Sequence, residues 1–220
     1  MIAKPNSYIE HTNLRSDLID RDIDQLIGEA KNHLFLGVCV PPFWVKKASR
    51  ELKGSTIQLA TVIGFPLGYQ RTESKIHEME FAISDGADEL DLVMNISAFK
   101  SGMSWPKIEM AKAAKLAHEH GKLLKVIVET ALLSEDELVQ VSKIVSDAGV
   151  DFIKTSTGFS SRGASIRDVK IMKANISANV GIKASGGIRT LAQLQTFLEA
   201  GVERIGTSSG VSIMNEYKNG

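Results

Sequence analysis

The sequence predicts a single (β/α)8 TIM barrel, and three observations carry that expectation. Apolar strand-like runs alternate with helix-period segments along the 220 residues, and counting a short first strand gives eight such units with no linker-like break. Strands that alternate with helices pair in parallel, and eight units in roughly 200–250 residues suit one closed barrel. Gly86-Ala87-Asp88, Gly149-Val150-Asp151 and Gly201-Val202-Glu203 each end a helix and open a strand, a weak internal repeat. A doubly wound open sheet is the alternative; it calls for Gly-x-Gly-x-x-Gly after the first strand, which this sequence lacks. One domain over 1–220 is expected, with a short flexible tail from about 215.

The elements follow in order. Ser7 to Leu14 holds the weakest strand. Leu18, Ile19, Ile23, Leu26, Ile27 and Ala30 recur at helical spacing, with Ser16 or Asp17 as cap and Gly37 past the end. Leu36 to Val40 is a compact apolar strand, and Pro41-Pro42 opens a helix running to Gly54. Ile57 to Ile63 is a strand that enters the turn-rich Gly64-Phe65-Pro66-Leu67-Gly68. Thr72 caps a helix closed by Gly86, and Asp88 to Met94 is strand. Ser104-Trp105-Pro106 starts a helix ending at Gly121, followed by strand from Leu123 to Val128. Ser134 and Glu137 form a capping box for a helix stopped by Gly149. Further helices start near Ser165 and at Thr190, Arg204 to Gly206 is the last strand, and a short helix begins near Ser209.

Composition narrows the function. Hydrophobic content of 43% with a formal net charge of +0 describes an ordinary globular protein and argues against nucleic acid as the main partner. Cys39 is the one cysteine, so an intrachain disulfide is excluded and no zinc motif can be drawn. No run approaches a membrane span and Met1 to Leu14 has no apolar leader core, which makes a reducing cytoplasm the expected compartment.

The chemistry concentrates in Asp151-Phe152-Ile153-Lys154-Thr155-Ser156-Thr157-Gly158-Phe159 and its echo Val180-Gly181-Ile182-Lys183-Ala184-Ser185-Gly186-Gly187-Ile188-Arg189. Each reads as strand, lysine, then small residues. Burying an ammonium without a partner is costly, so two lysines at equivalent positions of successive strands point to one site. Two ammonium groups about 4 Å apart at an effective dielectric of about 20 repel by about 4 kcal/mol, enough to bring one toward a neutral amine. A neutral amine attacks carbonyls, so the pair suggests Schiff-base catalysis. Two lysines holding a phosphate as point charges is the other reading. Asp91, inside an apolar strand, needs a cation or a role; it would keep one lysine charged and pass protons. It should pair mainly with Lys183, because contact with Lys154 would keep that amine protonated.

Gly186-Gly187-Ile188-Arg189 and Gly206-Thr207-Ser208-Ser209-Gly210 follow the last two strands, where barrels of this class bind phosphate on backbone N–H groups and a short helix N-terminus. A phosphorylated substrate is therefore expected. His118 and His120 cannot share a helix face, which speaks against a metal. His33 and His77 read as solvated, and Cys39 as a buried small hydrophobe rather than a nucleophile. Lys125 and Glu129 share one strand face, either as an inward pair or as a rim ion pair.

These motifs together resemble those of the deoxyribose-phosphate aldolase family. The resemblance rests on Lys154-Thr155-Ser156-Thr157-Gly158-Phe159, Lys183 to Arg189, and Asp88 to Asn95 around Asp91. Gly64 to Gly68, Leu123 to Thr130 and Gly206 to Gly210 follow it in the same order, so nearly the whole chain is covered. It implies a class I aldolase that interconverts 2-deoxy-D-ribose 5-phosphate with acetaldehyde and D-glyceraldehyde 3-phosphate, with neither metal nor organic cofactor. It further implies that Lys154 forms the imine, Lys183 depresses its proton affinity and Asp91 completes a proton relay. Thr157, Gly158, Gly186, Gly187, Ser208 and Ser209 would hold the phosphate, and Thr12 would contact substrate hydroxyls. Glu10 departs from the aspartate usual before the His11-Thr12 pair, which bears on the first-strand contacts. A homo-oligomer, a dimer first of all, is the expected assembly. An aldolase for a longer phosphosugar and a catalytically silent phosphosugar-binding regulator are the competing readings.

Overall fold

A computed structural model describes residues 4–219. Its strands are β1 (Ile9–Thr12), β2 (Gly37–Val40), β3 (Gln58–Ile63), β4 (Glu89–Val93), β5 (Leu123–Ile127), β6 (Phe152–Lys154), β7 (Gly181–Ser185) and β8 (Arg204–Thr207). They pair in parallel in sequence order, and β8 returns to β1 with His11 opposite Thr207, closing the barrel. The helices are α1 (Asp20–His33), α2 (Val45–Leu52), α3 (Thr72–Ser84), α4 (Ile96–Lys100), α5 (Trp105–Glu119), α6 (Glu135–Asp147), α7 (Ile166–Asn175), α8 (Leu191–Glu199) and α9 (Gly210–Asn219). Among the described residues no helix is long and apolar enough to cross a membrane.

Strand alternation places the site. Ile9, Val38, Leu90, Leu92, Leu124, Val126, Ile153, Ile182 and Ala184 belong to the main apolar core. The residues between them, Glu10, Cys39, Asp91, Lys125, Lys154 and Lys183, therefore take the opposite, inner face. A separate small apolar cluster of Cys39, Ala60 and Val62, with Leu14 and Phe65 packed on it, occupies part of that interior. Most of the rest of the interior is charged, an unusual filling for a barrel centre.

Several local expectations need correction. The first helix starts at Asp20, after the expected Ser16 or Asp17 cap: Asp22 turns back to accept the Ile19 N–H at 2.9 Å, while Asp17 pairs with Arg15. Leu34, with φ of 53°, ends α1, whereas Gly37 is the first residue of β2. A Cβ at Gly37 would come within 2.8 Å of the Gln58 carbonyl oxygen, which explains a glycine inside a strand. Thr72 does not cap α3; its hydroxyl donates to Glu109 at 3.0 Å. The tail expected to be flexible from about 215 is helical, since α9 continues to Asn219 and buries Ile213 and Met214. The Ser134–Glu137 capping box forms on α6 as expected.

Candidate active site

A cleft of about 650 Å³ opens at the C-terminal ends of the strands. Lys154 lies in its wall at the end of β6, and Thr12, Thr157, Gly158, Gly186, Gly187 and Ser208 line it as well. Ser209 does not: its N–H donates to the Thr207 hydroxyl at 2.9 Å, and Thr207 donates in turn to the Ile188 carbonyl. Asp91 and Lys183 lie fully buried behind Lys154.

Lys154 and Lys183 are register partners on β6 and β7. The Oδ2 atom of Asp91 accepts from the Nζ atoms of both lysines, at 2.7 Å each. The expectation that Asp91 pairs mainly with Lys183 is thus corrected to an equal sharing. The cause lies deeper in the barrel, where Lys125 on β5 donates to Oδ1 at 2.9 Å, so both upper lysines meet the other oxygen. Lys183 also donates to Glu10 on β1, one strand beyond its neighbour β8 in the closed barrel, so Glu10 is a second carboxylate for Lys183. Lys125 contacts Glu89 at 2.5 Å and Glu10 at 3.6 Å. Arg204 lies 3.1 Å from Glu89 and 3.8 Å from Glu10, with its guanidinium over the Phe152 ring. A connected ionic column therefore fills the barrel beneath the cleft.

Sequence reasoning found Asp91 but missed Glu89 and Arg204, and it left Lys125 and Glu10 without roles. A signal was present: Glu89 and Asp91 stand two apart in one apolar strand, so both carboxylates face the same side. Lys125 does not pair with Glu129. Glu129 sits beyond β5 in a left-handed conformation, with φ of 52°, and accepts both the N–H of Thr157 and its hydroxyl. Thr157 thus has its own donors turned to Glu129 while it lines the cleft.

Burial pushes the Lys154 amine below the ordinary lysine range; Asp91 opposes this and Lys183 reinforces it. Desolvation leads, and the repulsion between the lysines expected to dominate comes after it. Lys183 moves up: burial acts against its charge, but Asp91 and Glu10 outweigh it. Asp91 is held well below the carboxylate range, because Lys125, Lys154 and Lys183 together overcome its burial. Burial also pushes the Cys39 thiol up to about 11, in keeping with an unreactive small side chain.

The loops toward an anion have close backbone contacts. Gly186 and Gly187 take φ of 88° and 80°, and a Cβ on Gly163 would come within 2.1 Å of the Gly186 carbonyl oxygen. The loops after β6 and β7 thus cross at bare backbone. A Cβ on Gly206 would lie 3.2 Å from Cε of Lys183, so the glycine there leaves room for that side chain. The N-terminus of α9 begins beside the cleft at Gly210. Among the described residues no group of three or more His, Cys, Asp or Glu side chains is arranged to hold a metal ion.

A closed parallel barrel with an amine of lowered proton affinity in the wall of its mouth is the architecture of a carbonyl-handling lyase. A family model described as DeoC/LacD family aldolase matches residues 7–216, and the chain belongs to that family. It is 47% identical over 212 residues to a deoxyribose-phosphate aldolase of Streptococcus uberis, covering 96% of each chain. With one of Mycoplasmoides pirum the identity is 48% over 217 residues, covering 97% of this chain and 98% of that one. Among solved structures, the aldolase QR15 superposes with a TM-score of 0.94 at 38% identity, covering 99% of this chain and 97% of that one. The tetrameric deoxyribose phosphate aldolase of Aeropyrum pernix gives 0.90 at 31%, covering 97% and 91%. An archaeal fructose 1,6-bisphosphate aldolase, at 17% identity and a TM-score of 0.64, shares the fold.

Proposed function

We propose that this chain is a class I aldolase that cleaves 2-deoxy-D-ribose 5-phosphate reversibly to acetaldehyde and D-glyceraldehyde 3-phosphate through an imine on Lys154. The carrying observation is the Asp91 carboxylate, fully buried and in contact with both Lys154 and Lys183, with Lys154 alone of the three in the cleft wall. Family membership and relatives of that name at 47% and 48% identity support the substrate.

The neutral Lys154 amine adds to the C1 aldehyde, and loss of water with uptake of one proton through the Asp91, Lys183 and water relay gives a protonated imine. Loss of the C3 hydroxyl proton then breaks the C2–C3 bond, and the electron pair moves into the iminium as an enamine. D-Glyceraldehyde 3-phosphate departs. Protonation at C2 through the Asp91, Lys183 and water relay restores the iminium, and hydrolysis frees acetaldehyde and the amine. Gly186, Gly187 and Ser208, with the N-terminus of α9, take the phosphate, and Thr12 meets the sugar hydroxyls. The active unit is a homo-oligomer, with a dimer as the form to test first by light scattering, and the lone thiol of Cys39 suits a reducing cytoplasm.

Borohydride reduction in the presence of deoxyribose 5-phosphate, followed by peptide mass spectrometry, tests the assignment. An adduct on Lys154 that disappears in Lys154→Ala is the expected result. Substrate binding without any adduct overturns the aldolase reading, and an adduct on Lys183 reverses the two lysine roles.

A further inference from the structure

The barrel interior carries more charge than the proposed reaction uses. Among the described residues, four cations (Lys125, Lys154, Lys183 and Arg204) meet three carboxylates (Glu10, Glu89 and Asp91) in one connected column. All but Arg204 are buried. A buried excess charge is costly, and the cheapest relief is to drop a proton from one lysine. Lys125 has Asp91 at 2.9 Å and Glu89 at 2.5 Å. Lys183 has Glu10 as well as Asp91. Arg204 has Glu89 and Glu10, and a guanidinium does not give up its proton. Lys154 has only a share of Asp91.

We propose that Lys125 is a positioning residue for the reaction: it occupies Asp91 from inside the barrel and so leaves Lys154 without a carboxylate of its own. This rests on Lys154 being the imine-forming residue. Without Lys125 the column would balance, three cations against three carboxylates, with Lys154 still protonated. The Oδ1 atom of Asp91 would also be free to strengthen its hold on Lys154. Lys125 does not touch the cleft, so its effect reaches the substrate through Asp91 and Lys154. The titratable groups facing this column are Glu10 from β1, Cys39 from β2, Glu89 and Asp91 from β4, Lys125 from β5, Lys183 from β7 and Arg204 from β8. Strand β3 supplies none.

The pH dependence of kcat/KM on deoxyribose 5-phosphate reads the proposal, because its acid limb reports loss of the free amine. Removing a nearby positive charge in Lys125→Met stabilises the Lys154 ammonium, so the limb should move to higher pH by about one unit or more, with activity recovering in alkali. Lys125→Arg should keep the limb where the unaltered enzyme has it. Glu89→Gln, a near-isosteric loss of negative charge, should move it the opposite way by a smaller amount, and this variant keeps the question open to test if Lys125→Met fails to fold. A folded Lys125→Met or Glu89→Gln whose limb stays in place, with activity lowered equally at every pH, overturns the proposal and leaves Lys125 a packing group. Borohydride trapping on the unaltered enzyme, run first, separates the two claims. No adduct on Lys154 defeats the assigned function, whereas an adduct together with an unmoved limb defeats only the role of Lys125.

Discussion

Replacing Lys183 with methionine is the perturbation whose size follows most directly from the geometry. Both lysine Nζ atoms lie 2.7 Å from the same Asp91 oxygen, so they are no more than about twice that distance apart. Two unit charges about 5 Å apart at an effective dielectric of about 20 repel by about 3 kcal/mol. Losing that repulsion stabilises the charged form of Lys154, and Asp91 Oδ2 is at the same time left to Lys154 alone. Both effects favour the ammonium. The acid limb of kcat/KM for deoxyribose 5-phosphate cleavage should move up by about two pH units, a loss approaching about a hundredfold on the acid side of the original limb that alkali restores. Glu10 would keep Lys125 at 3.6 Å and Arg204 at 3.8 Å, so the variant retains partial compensation for the buried carboxylate. Lys183→Arg should hold the limb near its original place. A limb that does not move, with activity lost uniformly across pH, would refute the reasoning and make Lys183 solely a proton carrier.

Two other predictions concern loop geometry and acid stability. Gly163→Ala places a Cβ within 2.1 Å of the Gly186 carbonyl oxygen, so the Gly186-Gly187 loop must shift; KM for the phosphorylated substrate should rise more than kcat falls, and steady-state kinetics with an unphosphorylated aldehyde donor, unaffected, is the control. Glu10 and Asp91 titrate below their ordinary range in the folded protein, so the stability they contribute is present above the unfolded carboxylate range and is lost as pH falls from there through their lower folded-state range. The Tm should therefore drop on acidification below about pH 5, and Glu10→Gln should flatten that slope; equal slopes in the two proteins would contradict it.

Much of this was legible because barrel physics writes itself into periodicity. The eight strands, the helix stops at Gly86, Gly149 and Gly201, and the two lysine motifs are local signals, each readable within a short window. What escaped was set by distant partners. Thr72 looked like a cap until Glu109, thirty-seven residues away, claimed its hydroxyl. Lys125 and Glu129 looked paired because they share a strand period, but Glu129 lies beyond the strand end and turns to Thr157. Glu10 meets Lys183 across 173 positions of sequence, a contact that only closure of the barrel creates. The equal division of Asp91 followed from Lys125 as well, so the electrostatics of the site became readable only with the whole column in view.

Lys154 is the lysine of the column whose proton affinity is lowered, first by burial and then by the excess of cations over carboxylates around Asp91. NMR titration of protein carrying 13Cε-labelled lysine tests this without substrate. One lysine signal, missing from the Lys154→Ala spectrum, should lose its proton well below the bulk of the surface lysines. A Lys154 signal that titrates together with the surface lysines would contradict it.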